Sequence, residues 1–300
     1  MAELKEVEAG ISVRSLCALF GKSRHAWYDH QYRINREILL REIVLQEVYQ
    51  IRFNLPGVGT RKLHYLLKGV LQDHGLHVGR DYLFELLAEK GLLIRRRRRR
   101  VITTNSNHWM RKYDNLIGLI EIHRPEQVWV SDITYLRCNN CFVYLSLITD
   151  AYSHQIMGYR IQNDLSVQGC LQALEMALRK RSTPSSALIH HSDRGSQYCS
   201  KSYVELLKEN NIEISMTQNG DPYENSVAER LNGILKGEFN LYRTSESLAQ
   251  LQGRLDQIIQ AYNTLRPHDS CDRLTPQQAH QKTGKLKKRW KNYKRRKMGP

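Results

Sequence analysis

Six consecutive arginines, Arg95, Arg96, Arg97, Arg98, Arg99 and Arg100, divide this sequence into two stretches that follow different periodicities. Like charges in a run repel one another and cannot be packed into a core, so the run is a solvated boundary. Its obvious use is contact with phosphate groups. Before it, apolar residues recur at helical spacing; from about Glu121 onward they alternate or form short runs, as in strands. A chain of 300 residues is long enough for two or three domains. The division predicts a helical N-terminal region followed by a mixed α/β domain.

In the helical part, residues 12–32 read as helix, tight turn at Gly21-Lys22, then a second helix with Ser23 as its N-cap. That pattern resembles a helix-turn-helix, whose second helix enters a DNA groove; a plain helical hairpin is the alternative. A long helix is expected from about Arg36 to Arg52, followed by helices over 60–71 and 80–90, with Arg80 opening a candidate recognition helix. The predicted divisions are 1–35 (helix-turn-helix), 36–94 (second helical DNA-binding unit), 95–120 (basic linker), 121–282 (catalytic α/β domain) and 283–300 (disordered basic tail).

The formal net charge of +16 favours a polyanionic partner, most simply nucleic acid. No apolar run reaches the length of a membrane span, and the acidic N-terminus lacks the order of a signal peptide, so a cytoplasmic protein is expected. Cys138 and Cys141 form a CxxC, but they bracket Asn139-Asn140 between two strand-like runs, which suits a hairpin turn better than a zinc site. His190 and His191, the nearest second ligand pair, would point to opposite faces of a strand.

Three distant acids are the candidates for chemistry. Asp132 falls in the alternating stretch 127–137, and Asp193 follows the short apolar run Ala187-Leu188-Ile189, just ahead of the turn Arg194-Gly195-Ser196. Glu229 lies in a helical stretch that Asp221, Pro222 and Glu224 are expected to start, as N-cap, first residue and capping-box partner. At about 100° per residue, Asn225, Glu229, Asn232 and Lys236 fall within roughly 60° of one another on one face. Glu238 lies off that stripe, and Asp150 and Asp164 read as turn or strand-end residues.

The strings WVSDITYL at Asp132, HSDRGSQY at Asp193, NSVAERLNGILKGE at Glu229, and YNTLRPH with TPQQA over 262–279 resemble one family. They are similar to the integrase-core domain of DDE transposases, specifically the second-reading-frame (OrfB) proteins of the insertion-sequence group called IS-three. The resemblance implies an RNase H-like fold in which Asp132, Asp193 and Glu229 converge as catalytic and metal-binding residues. It also implies a basic residue seven places after the glutamate, which Lys236 supplies, and a bacterial, nucleoid-associated setting. Hard divalent ions, Mg²⁺ or Mn²⁺, take carboxylate oxygens, and two ions per site can serve the attacking and leaving oxygens of a phosphodiester. Nucleotide chemistry is not needed, and the chain shows no Walker-type phosphate loop.

The expected reaction is cleavage at transposon ends to free 3′-hydroxyls, then their joining to other DNA. The implied partners are double-stranded DNA (terminal inverted repeats and target), further copies of the chain as a dimer or higher assembly, and an upstream-frame (OrfA-type) protein. DNA contacts are expected from Lys236, Arg80 and the arginine run, and Asn225 and Asn232 are expected either to touch DNA or to support the carboxylates beside them. Two alternatives stand beside this reading: a nuclease or resolvase that cuts without joining, and a DNA-binding regulator with an inactive core.

Overall fold

The computed structural model describes residues 10–94, 110–118, 120–138, 141–218, 225–241, 243–244 and 246–290. The chain forms two compact units, the first of residues 1–53 and 59–94, the second of 54–58 and 95–300.

The first unit is helical. Helix α1 (Val13–Leu19) is capped by Ser12, whose Oγ accepts from Ser15 N at 3.1 Å. Gly21 turns the chain with φ +60°, a left-handed conformation that glycine adopts at little cost. Ser23 Oγ then accepts from Ala26 N at 3.1 Å and starts α2 (Arg24–Asn54). The second helix of the expected helix-turn-helix and the long helix expected from Arg36 are therefore one element, and the division placed at residue 35 falls inside it. No glycine or proline occurs between Ser23 and Pro56, so nothing in the sequence stops a helix once it has begun. The polar run around residues 33–37 only looked like a connection. Helices α3 (Thr60–Asp73) and α4 (Arg80–Glu89) follow, burying Leu63, Leu67, Leu71, Leu83, Leu86 and Leu87.

The second unit is built on a mixed sheet in the order β3-β2-β1-β4-β5. Strands β1 (Val128–Cys138), β2 (Cys141–Asp150) and β3 (Ile156–Gln162) are antiparallel neighbours; β4 (Leu188–Ser192) and β5 (Ile212–Met216) run parallel to β1. Helices α5 (Val167–Lys180), the short α6 (Ser196–Cys199) and α7 (Lys201–Glu209) intervene as crossovers. They bury Cys170, Ala173, Leu174, Ala177, Tyr203 and Leu207 against Trp129, Ile148 and Ile214. α5 lies so close to β3 that a Cβ on Gly158 would come within 1.9 Å of Ala173 O, so only glycine fits there. Helix α8 (Ser226–Gly237), strand β6 (Arg243–Thr244) beside β1, α9 (Leu248–Thr264), a 3-10 turn (Asp269–Cys271) and α10 (Pro276–Ala279) complete the unit.

Two expectations for irregular segments differ from the structure. Residues 110–118, expected to belong to a basic linker, lie along β5: Met216 N donates to Asp114 O at 3.3 Å and Leu116 N to Ser215 Oγ at 2.9 Å. Met110 and Tyr113 pack on the core, which supplies the anchoring that charge alone could not. The tail is not loose from residue 283 either. Gly284 N donates to His123 O at 2.7 Å, Asp272 N to Lys287 O at 3.0 Å and Arg289 N to Asp269 O at 2.8 Å. Ion pairs of Lys285 with Glu121 and of Arg289 with Asp272 hold its charges. Backbone pairing with the domain outweighs charge repulsion in this part; residues 291–300 lie outside those described.

Candidate active site

Strand alternation places Val128, Val130 and Asp132 on one face of β1. Ala228 of α8 packs against Val128 and Val130, which brings the helix, and with it the neighbouring Glu229, over that face. β4 runs beside β1 with Val130 opposite His191; continuing the register two places sets Asp193 beside Asp132. Asp193 is held by its turn, since Gly195 N donates to its Oδ1 at 3.0 Å, and a Cβ on Gly195 would crowd that same oxygen. Two adjacent strands and one helix thus deliver the three acids to one place.

The electrostatics record the convergence. Burial first, then the Asp193 carboxylate, push Asp132 up to about 7; Glu229 adds to this, while a backbone hydrogen bond at Ile133 and the charge of Lys236 oppose it. Burial also raises Glu229. Without an added cation the site holds more negative charge than it readily ionises. That is the behaviour of a site whose oxygens suit a hard divalent ion. A further oxygen, Asn232 Oδ1, is buried without a hydrogen-bond partner, while Nδ2 of the same side chain donates to Asp132 Oδ2 at 2.5 Å.

The expected DNA contacts fare differently. Asn232 is buried and spends its amide on Asp132, so it orients a carboxylate. Asn225 is the residue before the first turn of α8, also buried, and its Nδ2 donates to Ser131 O at 3.1 Å, tying the helix start to β1. In this structure both amides are therefore engaged within the domain. Lys236 sits with its Nζ 5.0 Å from the centre of the Tyr135 ring, near enough to Asp132 to stabilise its charged form. Arg80 is paired with its neighbour Asp81, Nε to Oδ1 at 2.8 Å. Arg95 to Arg100, and the helix start expected at Asp221, Pro222 and Glu224, lie outside the described residues; the described helix begins at Ser226.

Periodicity gave no hint of the polar clasp that closes the domain. Asn263 brackets β3, accepting from Ile156 N at 3.0 Å and donating to Ile156 O at 3.1 Å. Tyr262 donates to His154 O at 3.0 Å. Arg266 makes a two-point pair with Glu238 at the end of α8, Nε to Oε2 at 2.8 Å and a terminal nitrogen to Oε1 at 2.7 Å. Thr275 and Gln278 form a reciprocal capping box with Pro276 at the first turn, a signal readable in TPQQA. It delivers His280 between Glu126 (3.5 Å) and Asp150 (3.7 Å). Burial alone would lower the His280 pKa, but hydrogen bonding to Asp150 and Glu126 overcomes it and pushes the imidazole up to about 9.

That shift has a sign. A histidine whose folded value lies above its ordinary 6.5 adds stability fully at pH below about 6.5 and loses it as pH rises through about 9. The melting temperature is therefore expected to fall between pH 7 and 10, and His280→Gln to flatten that part of the fall. An identical slope in parent and variant, measured by thermal unfolding, would assign the decline to other groups.

Other reactive side chains are accounted for structurally. Cys138 pairs with Cys141 across the hairpin; their thiols donate to Glu246 O and Cys138 O, both at 3.1 Å. His190 is hydrogen-bonded to Ser131 Oγ (2.7 Å) and Tyr203 OH (2.9 Å), and His191 to Ser215 Oγ (2.8 Å), on separate faces. His154, His268 and Cys271 bring possible ligand atoms within 4.8 Å of one another. Their imidazoles, however, stack face to face at 4.3 Å and 13°, so the lone pairs lie in parallel planes and do not meet at a common point. Burial pushes the Cys271 thiol up to about 12, which fits a packed cluster.

Residues 122–222 and 210–276 each match a family described as Integrase core domain. The chain is 32% identical over 274 residues to the insertion element IS600 uncharacterized 31 kDa protein of Shigella sonnei, covering 87% of this chain and 96% of that one. It is 31% identical to the transposase for insertion sequence element IS629 of Shigella sonnei, over 86% of this chain and 84% of the relative. The chain belongs to the insertion-sequence DDE transposases of this group. Transposase InsF for insertion sequence IS3A of Escherichia coli (strain K12) is a further member, 28% identical over 93% of this chain and 97% of its own. The sheet of this transposase is accordingly the RNase H-like sheet of an integrase core, preceded by a helical region. Among solved structures, the HTLV-2 integrase catalytic core domain in complex with magnesium aligns at 19% identity and TM-score 0.41, over 52% of this chain and 97% of that one. Divalent metal ions are the general cofactors of the family. No helix among the described residues is long and apolar enough to cross a membrane.

Proposed function

We propose that this transposase binds the terminal inverted repeats of its element, frees 3′-hydroxyls there and joins them to target DNA, with Asp132, Asp193 and Glu229 as the catalytic and metal-binding acids. The observation that carries this reading is the meeting of three acids from two neighbouring strands and one helix, with Asp132 pushed up to about 7 by burial and by Asp193. Two Mg²⁺ or Mn²⁺ ions, when bound, would supply Lewis-acid stabilisation of the attacking and leaving oxygens. Asp132 on β1, Asp193 just past β4 and Glu229 on α8 would hold them.

The chain's own residues hold this arrangement. Asn232 fixes the orientation of Asp132, Gly195 N fixes that of Asp193, and Asn225 fixes where α8 begins. Lys236, on the same face of α8 as Glu229, is placed to meet a phosphate near the cut by leaving the Tyr135 ring. The helical first unit and the basic segments bind the ends, in a dimer or higher assembly of the chain; an upstream-frame partner would join through this region. A cytoplasmic, nucleoid-associated setting follows from the DNA it serves.

The test is strand transfer by the purified chain on end DNA with Mg²⁺ or Mn²⁺. Joined products are expected. Cleavage with no joined product would instead mark a nuclease, and end binding without cleavage a regulator.

A further inference from the structure

Helix α2 presents an exposed seam that its own unit does not use. Tyr28, Tyr32, Asn35, Leu39, Glu42, Gln46, Tyr49 and Phe53 follow alternating steps of four and three residues, the a/d spacing of a coiled coil. All eight are exposed, and the five apolar ones remain between 57% and 87% exposed. Surface hydrophobics scattered singly need no explanation, but an aligned seam of almost four heptads, about 37 Å long, does. The opposite face is the one that fastens the helix. Val44 and Val48 are buried there, Glu37 accepts from Tyr82 OH at 2.8 Å, Arg41 pairs with Glu89, and Arg52 donates to Leu92 O at 2.8 Å.

We infer that this seam is the contact between two copies of the chain, paired antiparallel through α2 about a two-fold axis between Leu40 and Arg41. A two-fold contact requires that residue i meet j and j meet i. In the antiparallel register, Tyr28 of one copy lies opposite Phe53 of the other, Tyr32 opposite Tyr49, Asn35 opposite Gln46 and Leu39 opposite Glu42. Aromatic meets aromatic at both ends, and amide meets amide inside them, where their hydrogen bonding fixes the register. A parallel pairing would set Glu42 against Glu42 in the seam, a buried like-charge contact. A nucleic-acid occupant is disfavoured by the same residue, because the only charge in the seam is an anion. The inference rests on the proposed multimeric transposase only for why a pair is useful; the contact itself is read from α2.

Sedimentation of the full chain without DNA, at high salt, tests it. The parent is expected to be a dimer. Leu39→Glu brings acids together across the axis and is expected to weaken dimerisation at least ~100-fold, whereas Leu39→Lys pairs with Glu42 of the other copy and retains it. Circular dichroism checks that both variants keep their helices. In a Cys141→Ser background, which removes the exposed native thiol, Asn35→Cys chains mixed with Gln46→Cys chains are expected to form an interchain disulfide, and neither alone. A monomeric parent, equal behaviour of the two Leu39 variants, or crosslinking by Asn35→Cys alone would each overturn the assignment. If the parent is monomeric and Leu39→Glu loses DNA retention, the seam is a DNA-binding face. None of these outcomes depends on strand transfer, so failure of this contact and failure of the proposed reaction are distinguishable.

Discussion

Replacing Asp132 by asparagine is expected to lower strand transfer by at least about 10³-fold, the equivalent of several kcal/mol of lost stabilisation at the reacting phosphate. The same change is expected to make the metal-free protein more stable at neutral and higher pH. The reason is the sign of the shift at this residue. Burial and Asp193 raise Asp132 from 3.8 to about 7, so the folded state holds a proton that the unfolded chain releases. Stability from this group is complete below about pH 4 and is lost as pH rises to about 7, beyond which the loss is constant. Asparagine carries no such cost. At 1.36 kcal/mol per pKa unit the gain at pH 8 is at most about 4 kcal/mol, and it is expected to vanish near pH 4. Thermal unfolding in chelator across that range measures it. Mg²⁺ or Mn²⁺ should then stabilise the parent and not the variant, because an ion that binds only the folded site shifts unfolding by mass action. Asp193→Asn and Glu229→Gln are expected to lose strand transfer similarly, while end binding persists. An Asp132→Asn protein that still joins ends would remove Asp132 from the site.

That this acid could be found in the sequence follows from the physics that positions it. Strand alternation is a local property: Val128, Val130 and Asp132 read as one face before any partner is known, and the structure packs that face under α8. The turn after Asp193 was likewise legible, because Arg194-Gly195-Ser196 is a local signal and Gly195 proves to hold the carboxylate. Helical angle groups Asn225 and Asn232 with Glu229, but an angle says nothing about depth. It could not distinguish a side chain facing DNA from one spent on Ser131 O or Asp132. The continuous α2 was misread for a related reason. A polar stretch lowers apparent amphipathicity, yet only a glycine, a proline or a competing cap ends a helix, and none lies there. Least legible was the clasp. Arg266 and Glu238 follow different helices, and their pairing joins positions 28 residues apart, which no local pattern encodes.

Arg266→Ala is expected to cost about 3–5 kcal/mol, because it removes a buried arginine and its two-point pair with Glu238. Arg266 is 1% exposed and Glu238 24%, so solvent can do little to replace the lost contact. For a domain of this size each kcal/mol shifts the melting temperature by roughly 2–4 °C, giving a fall of about 6–20 °C. The effect should reach the reaction as well. Glu238 is the C-cap residue of α8, and its backbone N–H is bonded to Ile234 O at 2.7 Å, so the pair fixes the end of the helix that carries Glu229. Strand transfer is therefore expected to decline below the melting transition, in a protein still folded by circular dichroism. Replacing both partners with apolar residues of similar volume, Arg266→Met with Glu238→Leu, separates the two roles. It replaces the ion pair by apolar packing and is expected to recover most of the lost stability. If the double variant melted as low as Arg266→Ala, packing of the arginine stem over the Tyr262 ring, 5.7 Å from the guanidinium, would be the larger contribution.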